Sequence, residues 1–208
     1  MIVDISSNNG LIDFKQVKLS GVEKVVVRAT MGFNTHDKML ITNANSVHAA
    51  GIPVLYYHFA YEHGDKESAS DATIQANYFL DTIKQLPVAE DLVIDLEPKD
   101  AAGNDTTFNQ QQFALWLQTF LDVVEHATGK QMIIYTYADY LNRHLLGNHS
   151  FGKYRLWIAN YHSPTGTGTG YNPPLPKGWT KYYMWQYSQT GTVPGIKTHV
   201  DLSKLHSL

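Results

Sequence analysis

Short runs of β-branched and aromatic residues alternate along the chain with longer segments of helical periodicity. Strands separated by helices favour parallel βα units, because a parallel connection needs a crossover of about a dozen residues or more. The first five runs occupy residues 2–6, 24–30, 53–59, 91–97 and 132–137. Three more follow, separated by loops rich in glycine and proline, at 155–161, 182–188 and 199–205. The pattern predicts an α/β fold in one domain over residues 1–208, with five βα units and three closing strands in an irregular barrel.

The clearest intervening helix is predicted over residues 108–127. A capping box from Thr107 to Gln110 is expected to begin it, and Gly129 is expected to end it. Its apolar residues recur every three or four positions, at Phe113, Leu117, Phe120 and Val124. This spacing gives the helix one apolar face that can pack on the sheet.

A G-x-G-x-G pattern occurs within residues 165–174, where it resembles a phosphate-binding loop. Two prolines follow it and no helix begins there. A phosphate-binding loop needs the free amides of a helix N-terminus. We therefore interpret the segment as a surface loop.

The composition narrows the range of functions. The net charge is −3, which is not typical of a nucleic-acid-binding protein, since these carry basic patches. The chain has no cysteine, which removes disulfides, thiolate nucleophiles and cysteine-ligated metals. Its ten histidines show no H-E-x-x-H spacing, so we predict no metal and no cofactor. No apolar window approaches the roughly 20 residues of a membrane span, and the first residues do not resemble a signal peptide.

The run at 91–97 carries acidic residues within an apolar strand. Because side chains alternate between the two faces of a strand, Leu92, Ile94 and Leu96 are predicted to face the helices. Asp95 and Glu97 then face the barrel interior at the carboxyl-terminal end of the strand, where parallel barrels carry their active sites. Asp91 shares this face but lies deeper, at the beginning of the strand, so we expect Asp91→Asn to leave catalysis largely intact.

Two more acidic residues lie on the first and last predicted strands. Asp4 shares a face with Ile2 in the first strand, and Asp201 lies between two apolar residues in the last. In a closed barrel these strands are neighbours, so Asp4 and Asp201 are expected to approach each other. Taken alone, either residue is more often a helix cap or a surface group.

Carboxyl groups gathered in one cleft raise each other's pKa values through burial and repulsion. Glycoside hydrolysis needs this arrangement, because one carboxyl acts as general acid while another carboxylate stabilises or attacks a developing cation. Asp95 and Glu97 therefore form the predicted catalytic pair.

Aromatic, amide and basic side chains near other strand ends are candidate substrate contacts. Flat aromatic rings suit the apolar faces of sugars, and amides suit their hydroxyls. His58 has a second interpretation as a hydrogen-bonded core residue, and Arg28 is interpreted equally as a structural ion pair with one of the acids or as a substrate contact. The predicted substrate-binding residues are Tyr56, His58, Tyr135, Trp157, Trp185, Gln186 and Arg28.

These residues together resemble glycoside hydrolase family 25, the Chalaropsis-type lysozymes. The resemblance runs nearly end to end, through the segments VDISSNNG, VVVRATMG, AAGIPVLYYHFA, VIDLE, IIYTY, LWIANY, MWQYS and VDLSKL. It implies a flattened, TIM-like (β/α)5(β)3 barrel that cleaves the β-1,4 bond from N-acetylmuramic acid to N-acetylglucosamine in peptidoglycan. The chitinase-like families also end a strand in D-x-E, but their D-x-x-D-x-D-x-E pattern requires an acid at Val93 and an Asp at Glu90.

Carried over residue by residue, the resemblance makes Glu97 the general acid and Asp95 the partner carboxylate, with Asp4 and Asp201 completing the cluster. It leaves open whether Asp95 orients the acetamido group of the substrate or acts more directly, and whether the anomeric configuration is retained or inverted. Two alternatives remain at this point: a barrel that binds peptidoglycan without cleaving it, and an enzyme that prefers chitin-like glycans.

The expected partner is the glycan strand of peptidoglycan, with no nucleic acid and no membrane insertion, and the chain is expected to act as a monomer. It is expected to act on the bacterial wall as an endolysin or autolysin. Access to the wall is expected through a holin-type lesion, through cell lysis, or through a leader that precedes these residues.

Overall fold

The chain folds into a closed α/β barrel with helices packed around it. The computed structural model describes residues 1–63, 67–98, 105–161 and 171–206. The strands are β1 (Ile2–Ile5), β2 (Lys24–Met31), β3 (Thr35–His36), β4 (Val54–Phe59), β5 (Asp91–Leu96), β6 (Ile133–Tyr137), β7 (Arg155–Ala159), β8 (Met184–Gly191) and β9 (Val200–Leu205). The α-helices are α1 (Phe14–Leu19), α2 (Leu40–Ala49), α3 (Ser68–Ile83), α4 (Gln110–Thr128) and α5 (Ala138–His144).

Eight of the strands close into a ring in the order β1, β9, β8, β7, β6, β5, β4, β2, with β2 pairing back to β1. Neighbouring strands are parallel, except that β9 is antiparallel to both β8 and β1. The predicted arrangement of five βα units and three closing strands is confirmed. The two-residue strand β3, which pairs with the end of β2 outside the ring, was not predicted because so short a strand has no periodicity to detect.

Two apolar layers hold the barrel together. A large outer layer lies between strands and helices and includes Leu92, Ile94 and Leu96 from β5, as their alternation predicts. A smaller inner layer fills the barrel and includes Val93 from the opposite face of β5, together with Tyr135 and Trp157. The polar ends of the inward-facing side chains can then meet only above this inner layer, at the mouth of the barrel.

Helix α4 begins two residues later than predicted. Its cap is Asn109, whose side chain accepts from the amide of Gln112, while the Gln112 side chain accepts from the amide of Asn109. Thr107 therefore does not form the predicted capping box. Asn109 is the stronger acceptor for this role, and sequence spacing alone places a helix start only to within a few residues. Gly129 ends the helix in the left-handed conformation (φ 68°), as predicted.

Most of the G-x-G-x-G segment, residues 165–170, lies outside the described residues, and so its interpretation as a surface loop stays a prediction. Within the described parts of the chain, no helix has the length and apolar character needed to cross a membrane.

Substitutions on the buried and exposed faces of α4 are expected to change stability by different amounts. Phe120 is fully buried and stacks on His58, with 4.8 Å between ring centroids, whereas Leu115 on the same helix is 49% exposed. Phe120→Ala is expected to lower the free energy of unfolding by about 3–5 kcal/mol because it leaves a cavity in the outer layer. Leu115→Ala should change it by about 0.5 kcal/mol or less. Urea denaturation of both variants tests this, and equal losses would contradict the assigned helix face.

Candidate active site

Four acidic side chains meet at the carboxyl-terminal mouth of the barrel. Asp95 is the penultimate residue of β5, level with Phe59 on β4 and Tyr135 on β6, and Glu97 follows directly after the strand. Asp4 on β1 is paired in register with Asp201 on β9. The sequence predicted this pairing from barrel closure, and the register confirms it.

Asp95 is the most enclosed of these acids. It is only 7% exposed, and its Oδ1 accepts no hydrogen bond from the described residues. Burial raises its pKa well above the usual range, and the charges of Glu97 and Asp4 raise it further, while Arg28 opposes the shift. A buried carboxyl oxygen without a donor is costly, and such groups concentrate at functional sites.

Asp4 and Asp201 are neighbouring carboxyls whose pKa values are both raised. Burial is the main cause that raises both pKa values, and the hydrogen bond between them raises the pKa of Asp4 and lowers that of Asp201. Two neighbouring carboxyls with raised pKa values favour a state in which one of them keeps its proton. Gln186 supports the pair from β8, because its Nε2 donates to Asp4 Oδ2 at 2.9 Å.

Glu97 is poised to exchange a proton near neutral pH. Burial raises its pKa from the ordinary value of 4.5 to about 7, and the negative charge of Asp201 adds to this. A hydrogen bond with Tyr137 moderates the shift. A carboxylic acid with this pKa is partly protonated at neutral pH and can act as a general acid.

A chain of hydrogen bonds links Glu97 to Asp4 along the wall of the site. Tyr137 bonds Glu97, and its hydroxyl lies 3.1 Å from the hydroxyl of Tyr161. The Tyr161 hydroxyl donates to Gln186 Oε1 at 2.6 Å, and the Tyr135 hydroxyl donates to the same oxygen at 2.8 Å. With both tyrosines on its oxygen, the Gln186 amide can present only its NH₂ group to Asp4. The two ends of the site are therefore connected through contacts between polar side chains.

Arg28 does not pair directly with one of the four predicted acids. Its guanidinium bonds Asp37 instead, with Nε at 3.0 Å and Nη2 at 2.8 Å from Oδ2. Asp37 is buried and also accepts from the backbone amides of Ser7 and Met39. Arg28 is thus a structural ion pair that still acts on Asp95 at longer range by lowering its pKa. Nothing in the sequence spacing distinguished Asp37 as this partner.

Three predicted substrate contacts lie on the wrong side of their strands. Tyr56 and His58 are buried in the outer layer, where Tyr56 donates to the carbonyl of Pro87. His58 lies between Thr30 and Gln75, and burial lowers its pKa to about 4, so it is a neutral core residue. Trp185 also packs in the outer layer. The alternation of side chains along a strand shows which residues share a face, but not which face points into the barrel. These three residues were assigned to the site only because their side chains suit a sugar.

The remaining predictions are placed inside the barrel. Gln186 bonds Asp4, as described, and Tyr135 and Trp157 belong to the inner layer. Trp157 is 2% exposed and donates to Ser203 at 3.0 Å, which makes it part of the floor below the acids and leaves little of its ring for stacking.

Three tyrosines that the sequence patterns did not indicate lie near the acids. Tyr57, Tyr137 and Tyr161 all face the inner layer and remain partly exposed. The pKa of Tyr57 is raised mainly by burial and also by the charges of Asp95 and Asp4. Alternation counted from Asp95 would have found Tyr57, because it is paired with Val93 on the adjacent strand.

Asp91 lies at the opposite end of β5 from Glu97. Its two carboxylate oxygens accept from Arg155 at 3.0 and 2.7 Å, in a bidentate ion pair. This pairing gives Asp91 a structural role at the amino-terminal end of the barrel, in agreement with its predicted depth.

The fold and the mouth of the barrel together define a class of protein. Neighbouring carboxyls at the carboxyl-terminal end of a barrel, one of them with a pKa near neutrality, are the groups by which glycoside hydrolases work. The model of the family described as glycosyl hydrolases family 25 matches residues 3–196. The chain belongs to this family and is a glycoside hydrolase, which confirms the resemblance found in the sequence.

Individual relatives agree with this assignment. Lysozyme M1 of Streptomyces globisporus is 28% identical over 212 residues, covering 98% of this chain and 67% of the relative. The autolytic lysozyme of Clostridium acetobutylicum is 30% identical over 203 residues, covering 97% of this chain and 54% of the relative, so the chain spans about half of that protein. The crystal structure of the bacterial lysozyme from Streptomyces coelicolor superposes with a TM-score of 0.83 at 27% identity, covering 99% of this chain and 91% of that one.

The raised pKa of Glu97 predicts a pH-dependent stability. Between pH 4.5 and about 7 the folded protein holds a proton that the unfolded chain has released, which stabilises the fold. This contribution is fully present below pH 4.5 and is lost as the pH rises through about 7. The variant Glu97→Gln lacks it. The free energy of unfolding of Glu97→Gln minus that of the wild type should therefore be larger at alkaline pH than at acidic pH. Denaturation of both proteins across this range measures the difference. A stability difference that does not change with pH would contradict the raised pKa.

Proposed function

We propose that this protein is an N-acetylmuramidase that hydrolyses the β-1,4 bond between N-acetylmuramic acid and N-acetylglucosamine in bacterial peptidoglycan. The observation that carries the proposal is the position of Asp95 and Glu97 on one inward face at the end of β5, with the pKa of Glu97 raised to about 7. The names of the two curated relatives, both lysozymes, support the choice of substrate. The site of action is then the bacterial cell wall.

In the proposed reaction, Glu97 is the general acid. It protonates the glycosidic oxygen as the bond to the anomeric carbon breaks, so that the leaving sugar departs as a neutral alcohol. Its pKa supports this role. A group with a pKa near 7 is protonated in a substantial fraction of molecules at neutral pH and is still acidic enough to transfer its proton. The hydrogen bond from Tyr137 then stabilises the carboxylate that Glu97 becomes.

Asp95 is the proposed partner carboxylate. Positive charge develops on the sugar ring during bond cleavage, and an ionised Asp95 stabilises it or aligns the acetamido group for attack. Burial and the charges of Glu97 and Asp4 raise the pKa of Asp95, and Arg28 is the positive charge that opposes this rise and favours the ionised form that the reaction needs. Asp4 and Asp201 lie in the same cleft, where the negative charge of Asp201 helps to keep Glu97 protonated.

The partly exposed tyrosines are the proposed walls of the glycan-binding cleft. Tyr57 and Tyr137 lie on either side of the acids, on β4 and β6, and Tyr161 follows β7. Their rings offer flat apolar faces and their hydroxyls offer hydrogen bonds, which is the combination that amphipathic sugars require. These three residues replace Tyr56, His58 and Trp185 as proposed substrate contacts.

Substitution of Glu97 is the direct test of the acid assignment. Glu97→Gln preserves the shape of the side chain but cannot donate a proton, and we expect release of reducing sugar from purified peptidoglycan to fall about 10²–10⁴-fold. Asp91→Asn is the matched control on the same strand. It should retain activity and lose about 1–3 kcal/mol of stability, because it breaks the ion pair with Arg155.

Two outcomes would contradict the proposal. If Asp91→Asn lost as much activity as Glu97→Gln, the assigned roles of the two ends of β5 would be wrong. If the wild type sedimented with cell walls but released no reducing sugar, the chain would be a peptidoglycan-binding protein without this activity.

The identity of the new reducing end tests the choice of bond. Digested peptidoglycan is reduced with borohydride and analysed by mass spectrometry, and we expect the reduced sugar to be N-acetylmuramic acid. A reduced N-acetylglucosamine would instead identify a glucosaminidase, and equal cleavage of chitin oligosaccharides would indicate a preference for chitin-like glycans. Proton NMR of the first product anomer decides between retention and inversion.

A further inference from the structure

A second cavity lies at the amino-terminal end of the barrel, away from the acids. It has a volume of about 540 Å³ and lies between the start of β7, the segment before β8 and the end of β9. Ligand pockets typically measure about 300–1,000 Å³, so a sugar fits it. Arg155 lines the cavity and binds Asp91, which is four residues, or about 13 Å, along β5 from Asp95. The cavity is therefore separate from the proposed active site.

Aromatic side chains form much of its wall. Tyr154 and Trp179 are buried beneath it, and Trp179 is fixed by a hydrogen bond from its indole nitrogen to the Tyr154 carbonyl at 2.9 Å. Tyr182 and Tyr183 are partly exposed and also line the cavity. Such rings are the groups on which sugar rings stack.

The wall is held by close backbone contact. A Cβ atom on Gly152, which lines the cavity, would lie only 1.9 Å from the carbonyl oxygen of Gly178. Gly178 itself has a φ of +91°, which favours glycine. The segment that carries Trp179 therefore packs directly on the turn before β7. A preformed cavity loses little conformational freedom when a ligand binds.

The charged side chains that line the cavity are basic. They are Lys153, Lys181 and Arg155, and none of the described lining residues is acidic, although the whole chain carries a net charge of −3. Arg155 is neutralised by Asp91. Lys153 and Lys181 form no ion pair with any residue in the described parts of the chain. The Lys153 ammonium lies over the Tyr154 ring, 5.2 Å from its centroid, and both lysines are exposed. The cavity thus combines aromatic side chains with two ammonium groups that no carboxylate of the described residues neutralises.

We propose that this cavity binds a sugar ring that carries an anionic substituent, either a carboxylate or a phosphate. The aromatic residues recognise the ring and the two lysines recognise the charge. This second site goes beyond the proposed hydrolysis. It would hold the protein on an anionic wall glycan while the opposite end of the barrel works on its substrate.

Three sugars with one common core test the proposal by NMR. Wild-type protein is titrated with N-acetylglucosamine, with N-acetylmuramic acid, which adds a carboxylate, and with N-acetylglucosamine 6-phosphate. The reporter is the indole N–H of Trp179, with the buried indole of Trp116 as internal reference. We expect at least one charged sugar to shift the Trp179 signal with a Kd about fivefold lower than that of the neutral sugar, as two exposed charge pairs of modest strength would give.

Paired lysine variants supply the control. In Lys153→Ala/Lys181→Ala the preference for the charged sugar should disappear. The control Lys15→Ala/Lys84→Ala removes the same charge from exposed positions elsewhere, and this variant should retain the preference. A response to N-acetylmuramic acid alone identifies peptidoglycan as the source of the anion, and a response to the phosphate alone identifies a phosphorylated wall polymer. No shift of Trp179 with any sugar, equal affinity for all three, or an unchanged preference in Lys153→Ala/Lys181→Ala would overturn the proposal.

The readout does not depend on catalysis. A protein without muramidase activity would still show the Trp179 shift if the second site exists, and a muramidase without this site would not. Hydrolysis of short soluble glycans should be the same in Lys153→Ala/Lys181→Ala and in the wild type.

Discussion

Closure of the barrel is the constraint on which the rest of the structure depends. The antiparallel pairing of β9 with β1 places Asp201 directly opposite Asp4, although 196 residues separate them in the chain. Burial raises the pKa values of both carboxyls, and their proximity favours a state in which only one of them is ionised. The negative charge that remains on Asp201 contributes, after burial, to the raised pKa of Glu97. The chemistry of the site thus follows from how the first and last strands meet.

The protonation of the site is set by neutral groups as much as by charged ones. Gln186 is oriented by two tyrosine hydroxyls, and this orientation makes it a donor to Asp4. Arg28, held by the buried Asp37, is the positive charge that favours ionisation of Asp95. Because these supports come from β2, β6 and β8 and from the segments after β3 and β7, a substitution far from Glu97 in sequence can still change the protonation of the site.

The two ends of the barrel differ in character for a physical reason. At the carboxyl-terminal end, Asp95 is buried without a cation in direct contact, which costs folding energy, and the neighbouring Glu97 has a pKa near neutrality that suits proton transfer. At the amino-terminal end, Asp91 is matched by Arg155 and Glu90 by Lys24, so this end is stabilised by ion pairs. The lysines near the second cavity are the exception at that end, which is why the cavity is a candidate for an anionic ligand.

The sequence by itself determined the order of elements, the face of β5 that carries Asp95 and Glu97, and the apolar face of α4, because each depends on local periodicity. It also determined the family, since the acid-bearing motifs occur in order along nearly the whole chain. It did not determine which face of β4 or β8 points inward, and so it assigned Tyr56, His58 and Trp185 to the site in place of Tyr57. Periodicity states which residues share a face, but only packing against the helices decides which face is the interior. The pairing of Arg28 with Asp37, the hydrogen bonds of Gln186 and the cavity beside Trp179 join residues from separate strands and loops, and only the tertiary structure brought them together.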